Sequence, residues 1–362
     1  MKSQGNQKVY LGMSGGVDSS VSAALLKKAG YNVTGVFIKV WQPDWLTCTW
    51  KEDRRDAMRV AAHLGIPFVT LDLEAEYKKD VVDYMISEYK IGRTPNPDVM
   101  CNKSVKFGAF YDWAMKQGAN FVATGHYAQI KKIDETLALQ VSTDLNKDQS
   151  YFIWNIKPDQ LDHILFPVGH LEKPEVRVLA QKFELPNATK KDSQGLCFIG
   201  KVDMKEFLSH YIETTEGSVL NEKGEVIGLH PGALLFTIGE RRGFTITKKT
   251  PHDQAFYVLS KNTEKNEIVV GSHINEPNSR NYVTSIDLIQ TNWIGKLPRV
   301  GAQITARSRY RQPLEKVTVI SVHGSEVTLK FETPQETIAP GQSLVMYDKD
   351  ICLGGGIINE AQ

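Results

Sequence analysis

The run Leu11-Gly-Met-Ser-Gly-Gly-Val-Asp-Ser-Ser20 holds the residue types that could bind and cleave a phosphoanhydride. Its glycines, Gly12, Gly15 and Gly16, permit positive φ and close backbone approach. Ser14 and Ser19 supply hydroxyls; Met13 and Val17 are its apolar members. Successive backbone N–H groups at the start of a helix form a nest for an anion. Asp18 could place a divalent cation on that anion, or could be an acid favoured by the helix dipole. The order Ser-Gly-Gly-Val-Asp-Ser-Ser is more specific than scattered glycines. No Gly-Lys-Ser/Thr follows, so it is not a Walker loop.

Two cysteines sit in contexts that could do sulfur chemistry. Gly92 to Lys103 contains Asn96, Pro97, Asp98 and Cys101. Pro95 and Pro97 predict a loop rather than a helix there. It either presents an acid and a thiol to a bound nucleotide or is a proline-stiffened surface loop. In Lys190 to Gly200, two lysines and an Asp-Ser pair precede Cys197. Nearby positive charge favours a thiolate; the alternative is a buried cysteine opening the apolar run Leu196–Ile199. Cys48 reads as loop filler and Cys352 as core. The four cysteines have no CxxC spacing, so neither a zinc ribbon nor an iron–sulfur cluster is expected. Arg307, Arg309 and Arg311 alternate around Tyr310. On a strand they would share one face, fit for phosphates and stacking or simply for solvent.

The elements that must position these groups follow from periodicity. Strands are expected at Lys8–Leu11, Asn32–Val40, Ile66–Leu71 and Asn120–Thr124. Helices are expected at Ser19–Ala29, Lys51–Leu64, Glu74–Tyr89 and Val105–Lys116. This alternation predicts a doubly wound parallel α/β sheet with ligands at the carboxyl ends of its strands. A hairpin at Ala128–Val141 and helices at Pro174–Phe183 and Met204–Tyr211 come next. Beyond Gly217 the chain turns to β runs, among them Glu225–Leu229, Ala233–Ile238, Ala255–Leu259 and Glu267–Gly271. Longer alternating strands follow at Ala302–Arg309, Glu315–Val322, Glu326–Phe331 and Ser343–Tyr347. The expected domains are 1–212 (catalytic α/β), 213–277 (small, mostly β) and 278–362 (β-barrel-like).

At 362 residues, with 41% hydrophobic and 23% charged residues, a sizeable core is expected. The formal net charge of +1 means any nucleic acid is met by local basic patches. No apolar run is long enough for a bilayer and no signal peptide is evident, so a cytoplasmic location is expected.

The glycine-serine run resembles the pyrophosphate loop of the ATP-pyrophosphatase superfamily, with its adenine nucleotide alpha hydrolase-like fold. In one order follow Asn96-Pro-Asp-x-x-Cys-Asn102, Ala123–Ala128, Lys147–Phe152, Phe166–Gly169, Lys190–Gly200, Ala306–Gln312, Pro340–Gln342 and Cys352–Ile358. Together they resemble the bacterial tRNA-specific 2-thiouridylase family over nearly the whole chain. That resemblance implies ATP and a transient Mg²⁺, with Gly12 through Ser19, Ile38 and Gly125 at the nucleotide. It implies Asn96, Pro97 and Asp98 at the target base, Cys197 as the persulfide carrier, and Cys101 as partner nucleophile able to close a disulfide with it. His126, Lys147, Asp148, Gln149, Arg309, Tyr310 and Gln342 would contact tRNA. The implied substrate is the wobble uridine of the tRNAs for Lys, Glu and Gln. A cysteine desulfurase or a sulfur-carrier protein would be the donor, and a monomer the working unit. Asp98 stays open as acid/base or as base-positioning group. Glu240 stands where the family has glutamine, so no role is carried over to it.

Overall fold

The fold was obtained as a computed structural model that describes residues 7–46, 50–192, 202–247, 255–271, 282–336 and 338–361. Cys48 and Cys197 lie outside the described residues. Seven strands fall in the first half: β1 (Lys8–Gly12), β2 (Asn32–Lys39), β3 (Phe68–Asp72), β4 (Phe121–Ala123), β5 (Ala128–Ile133), β6 (Thr136–Val141) and β7 (Ile164–Leu165). Five make a parallel sheet in the order β3-β2-β1-β4-β7. Helices cover both faces, which is why its central strands are nearly all apolar. Val9, Leu11 and Val36 have no exposed surface. Helices α1 (Val17–Lys28) and α2 (Trp50–Leu64) pack on one side, burying Val21, Ala57 and Val60 against Leu11 and Phe37. The 74–90 and 97–116 helices cover the other, burying Tyr77, Val81, Val105 and Phe110. After β1 the chain runs outward to β2 and β3, then returns to β4 on β1's far side. The reversal opens a crevice at the carboxyl end of β1, where ligands bind in open α/β sheets.

The 92–103 stretch differs from expectation. Only its first part is irregular; a helix starts at Pro97 and continues through a wide-turned segment, Cys101–Phe110, to Lys116. Proline at the first helical position lacks an N–H that has no intrahelical partner anyway. Asn96 caps this start, its Oδ1 accepting from Val99 N at 3.2 Å. Asp98 and Cys101 are therefore helical residues.

The middle sheet holds β8 (Gly217–Leu220), β9 (Val226–His230), β10 (Thr245–Ile246), β11 (Tyr257–Asn262) and β12 (Glu267–Gly271), in the order β10-β9-β8-β12-β11. The expected strand at Ala233–Ile238 is instead a short 3₁₀ turn, Ala233–Leu235, leading into an irregular loop. Its core, with Val219, Phe236 and Val258, is continuous with that under the 74–90 and 97–116 helices.

Six further strands, β13 (Tyr282–Trp293), β14 (Gln303–Arg307), β15 (Glu315–His323), β16 (Glu326–Glu336), β17 (Ser343–Asp348) and β18 (Ile351–Ala361), close into a barrel through the β13–β18 pairing. β14 ends at Arg307, and Arg311 has φ of +64°. The three arginines therefore do not form one row on a strand. The β5–β6 hairpin is not confined to the first domain: β6 pairs with β18 through Ile351↔Gln140 and Cys352↔Leu139. Tyr151 Oη donates to Ser308 O and Ser343 O, and Asn292 Nδ2 to Trp154 O and Ile156 O. The barrel is thus built onto the segment that follows the hairpin. Cys352 is buried in β18, and burial pushes its thiol up to about 12. Among the described residues, no helix is long and apolar enough to cross a membrane.

Candidate active site

A cavity of about 500 Å³ opens at the carboxyl end of β1. One wall is the β1–α1 turn with the helix end above it: Gly12, Met13, Ser14, Gly16, Val17, Asp18 and Ser19. The turn is tied internally. Ser19 Oγ donates to Gly16 O at 3.1 Å, Ser20 Oγ to the same oxygen at 2.8 Å, and Ser14 N to Ser19 Oγ at 3.3 Å. Gly15 has φ of +77°, and a Cβ there would stand 2.3 Å from Asp53 O on α2. Only glycine fits both demands. Asn187 Nδ2 clasps the turn from behind, reaching Gly15 O at 2.8 Å and Ser20 Oγ at 2.9 Å.

The second wall is apolar: Phe37, Ile38 and Val40 from the end of β2, and Trp50 from α2. It suits a flat heterocycle. The third comes from the 97–116 helix, where Asp98, Asn102 and Lys106 recur every four residues and line one face. The rim carries Thr124, Gly125, His126 and Tyr127 after β4, then Lys147, Gln149 and Phe152, with Tyr310 and Arg311 from the barrel.

The charged groups form a chain. Asp18 Oδ1 accepts from Lys173 Nζ at 2.6 Å and from Tyr127 Oη at 2.9 Å. Lys173 also reaches Asp192, 2.8 Å away, as does Lys147; Arg177 pairs with Asp192 too. Burial alone would raise the Asp192 pKa, but the hydrogen bonds from Lys147 and Lys173 outweigh it and bring it to about 2. Burial, aided by the neighbouring Lys106, holds the His126 imidazole well below its ordinary range, so it is neutral at pH 7.

The expected residues scatter in instructive ways. Gly12, Met13, Ser14, Gly16, Val17, Asp18, Ser19, Ile38, Gly125, Asp98, His126, Lys147, Gln149 and Tyr310 meet in the one cavity. Cys101 is fully buried in the cluster with Val36, Ile38 and Val105. Asp148 is 2% exposed and accepts from Ser142 N, Ser150 N and Ser150 Oγ, so it shapes the 142–150 turn from within. Gln342 Nε2 donates to Thr94 O and Pro95 O, bracing the approach to the 97–116 helix. Arg309 leans on Ile238 O, while Arg311, over the Tyr310 ring, lines the cavity. Glu240 pairs with Lys205 at 2.7 Å. The sequence reading assigned no individual role to Asn102, Lys106, Tyr127, Lys173 or Asn187. The four-residue spacing of Asp98, Asn102 and Lys106 was a usable signal, hidden by placing the helix start at Val105. Asn187 and Lys173 carried no local signal.

Three family models match consecutive parts of the chain: a "tRNA methyl transferase HUP domain" over residues 7–201, a "tRNA methyl transferase PRC-barrel domain" over 205–272, and an "aminomethyltransferase beta-barrel domain" over 283–358. The tRNA-specific 2-thiouridylase MnmA of Streptococcus sanguinis is 45% identical over 359 residues, covering 98% of this chain and 95% of the relative. The same-named protein of Halalkalibacterium halodurans is 46% identical over 357 residues, covering 97% and 94%. Among solved structures, the U34-tRNA thiolase NcsA of Methanococcus maripaludis matches 51% of this chain and 59% of its own, at 18% identity and a TM-score of 0.35.

Proposed function

The chain belongs to the tRNA-specific 2-thiouridylase family, and from that premise we propose how its cavity performs ATP-dependent 2-thiolation of a tRNA uridine. The observation that supports the reading is one cavity with the Gly12–Ser19 turn on one wall and Asp98 and Asn102 on another. ATP lies with its base against Ile38 and its β- and γ-phosphates in the Gly12–Ser19 turn, near Gly125. Mg²⁺ comes with the triphosphate, and Asp18, at the mouth of the turn, is the carboxylate placed to meet it. When bound, the ion offsets charge on the departing pyrophosphate.

The target is the wobble uridine of the tRNAs for Lys, Glu and Gln. It leaves its stack to reach the cavity, as bases must for such chemistry. Asn96, Pro97 and Asp98 receive it. His126, Lys147, Gln149, Arg309, Tyr310 and Gln342 serve RNA contact, directly or by bracing the segments that make it. Asp148 does so by holding the 142–150 turn. The uracil 2-oxo oxygen attacks the α-phosphorus, pyrophosphate departs with the bonding pair, and the N3 proton passes to a base such as Asp98. The adenylated oxygen is then a good leaving group.

Sulfur comes as a persulfide on Cys197, charged by a cysteine desulfurase or a carrier protein. In one route the outer sulfur attacks C2 and expels AMP, after which the Cys101 thiolate attacks Cys197 Sγ and frees the thiolated base. In the other, Cys101 attacks first and releases hydrosulfide, which then attacks C2. Both end in a Cys101–Cys197 disulfide, which a dithiol reductant must reopen. Cys101 must leave its buried position for either route.

The test is a thiolation assay with Mg-ATP, unmodified tRNA for Glu and either sulfide or a desulfurase with cysteine, read by retardation of thiolated RNA in a mercury gel. Wild type is expected to thiolate with both sources, and Cys197→Ser to lose the desulfurase-driven reaction. Pyrophosphate without thiolated RNA would refute the substrate assignment. Undiminished desulfurase-driven activity in Cys197→Ser would refute the persulfide role.

A further inference from the structure

A row of contacts crosses the cavity floor from the phosphate turn to the side that receives the base. It begins at Gly12, beside the Thr124 side chain: a Cβ on Gly12 would lie 3.9 Å from Thr124 Cγ2. Thr124 Oγ1 is 2.7 Å from His126 Nδ1. His126 Nε2 is 3.4 Å from Lys106 Nζ. Lys106 is one helical step beyond Asn102 and two beyond Asp98 on the wall that faces the base.

The roles within this row are fixed by protonation. An ammonium can only donate, so His126 Nε2 accepts from Lys106, and Nδ1–H donates to Thr124 Oγ1. The ring cannot swing away, because Phe107 and Phe166 flank it with centroids 5.9 and 6.1 Å distant. Lys106 is half-buried and lines the cavity beside that ring, on the wall that also carries Asp98 and Asn102.

We propose that Lys106 is a catalytic residue of the adenylation step, its ammonium neutralising the α-phosphoryl oxygens while the uracil 2-oxo group attacks phosphorus. This rests on the thiolation reading above. In that step the O2–Pα bond forms, the bond from Pα to the bridging oxygen breaks, and pyrophosphate takes the pair. The N3 proton leaves to a carboxylate, and Lys106 keeps its own protons throughout. Charge gathers on the α-phosphoryl oxygens in the transition state, so a preplaced cation in a partly dry site lowers the barrier without needing to tighten ground-state binding.

The experiment is single-turnover release of pyrophosphate from Mg-ATP with saturating unmodified tRNA for Glu, on the full chain. Lys106→Gln is expected to be slower by about 100- to 1,000-fold, with the Kd values for ATP and tRNA each within about threefold of wild type. Lys106→Arg should recover part of the rate. Lys106→Ala should regain rate when ethylamine is added, a response that fold stabilisation does not produce and that reports on the folded fraction alone. Three results would overturn the proposal: wild-type pyrophosphate release with thiolation lost, which would move Lys106 to sulfur transfer; weakened tRNA binding at an unchanged rate, which would make it an RNA contact; or no response to the amine. Failure of the thiolation reading looks different, since wild type itself would then release no tRNA-dependent pyrophosphate.

Discussion

Gly125→Ala is the sharpest probe of how the β1–α1 turn is held. A Cβ on Gly125 would stand 2.7 Å from Ser19 N and 3.0 Å from both Asp18 C and Ser19 Cα. Ordinary contact begins near 3.4 Å, so the backbone of α1's first turn must retreat by several tenths of an ångström. All three neighbours are main-chain atoms, and no side-chain rotation can relieve them. Overpacking of this kind costs about 1–3 kcal/mol, or a melting point lower by roughly 2–12 °C for a domain of this size. The strain falls on the turn proposed to meet the triphosphate, and a misplacement approaching 1 Å can cost on the order of 100-fold in rate. The assay is tRNA-dependent pyrophosphate release as a function of ATP, with a thermal melt on the same sample. Gly12→Ala is the stability control: its Cβ would meet Phe110, Ala123 and Thr124 atoms at 3.5–3.9 Å, an ordinary contact. A Gly125→Ala protein that melts with wild type and keeps its ATP dependence would refute the reasoning.

Two further outcomes follow from the geometry. Gln342→Ala removes the donors to Thr94 O and Pro95 O that brace the entry to the 97–116 helix; a loss of about 1–1.5 kcal/mol, near tenfold in kcat/KM for tRNA, is expected with the Kd for ATP unchanged, and a purely structural role would instead lower kcat/KM and raise the Kd for ATP together. Burial lowers Lys261 to about 8, with Glu240 opposing more weakly. Its unfolded value is near 10.4, so between these pH values the unfolded chain binds the extra proton and stability rises with pH. Urea melts at pH 8 and pH 10 should show that rise in wild type and its reduction in Lys261→Met.

The conformation of the β1–α1 turn was legible because its requirements are local. Positive φ at Gly15 and a helix start at Val17 depend on neighbours in sequence, and the run states them directly. The parallel sheet was legible for a similar reason: apolar runs such as Val36-Phe-Ile38 between helical stretches have few other ways to be buried. The 97–116 helix was misjudged at its start because proline at a first helical position and proline in a loop look alike until the cap is seen. Asn96 Oδ1 on Val99 N decides between them.

What the sequence by itself determined is therefore the scaffold class, together with a set of candidate groups for the proposed chemistry. Tertiary structure alone decided which of those groups face one another. Asp148 and Lys147 are adjacent in sequence, yet one is sealed under its turn and the other lines the cavity. Thr124, His126 and Lys106 meet only because β4 and the 97–116 helix pack side by side. Hairpin 128–141 joins the barrel because β18 offers β6 an open edge. Side-chain identity is a property of the chain, but burial and partner choice arise from contacts between residues far apart in it, which local propensity and spacing do not encode.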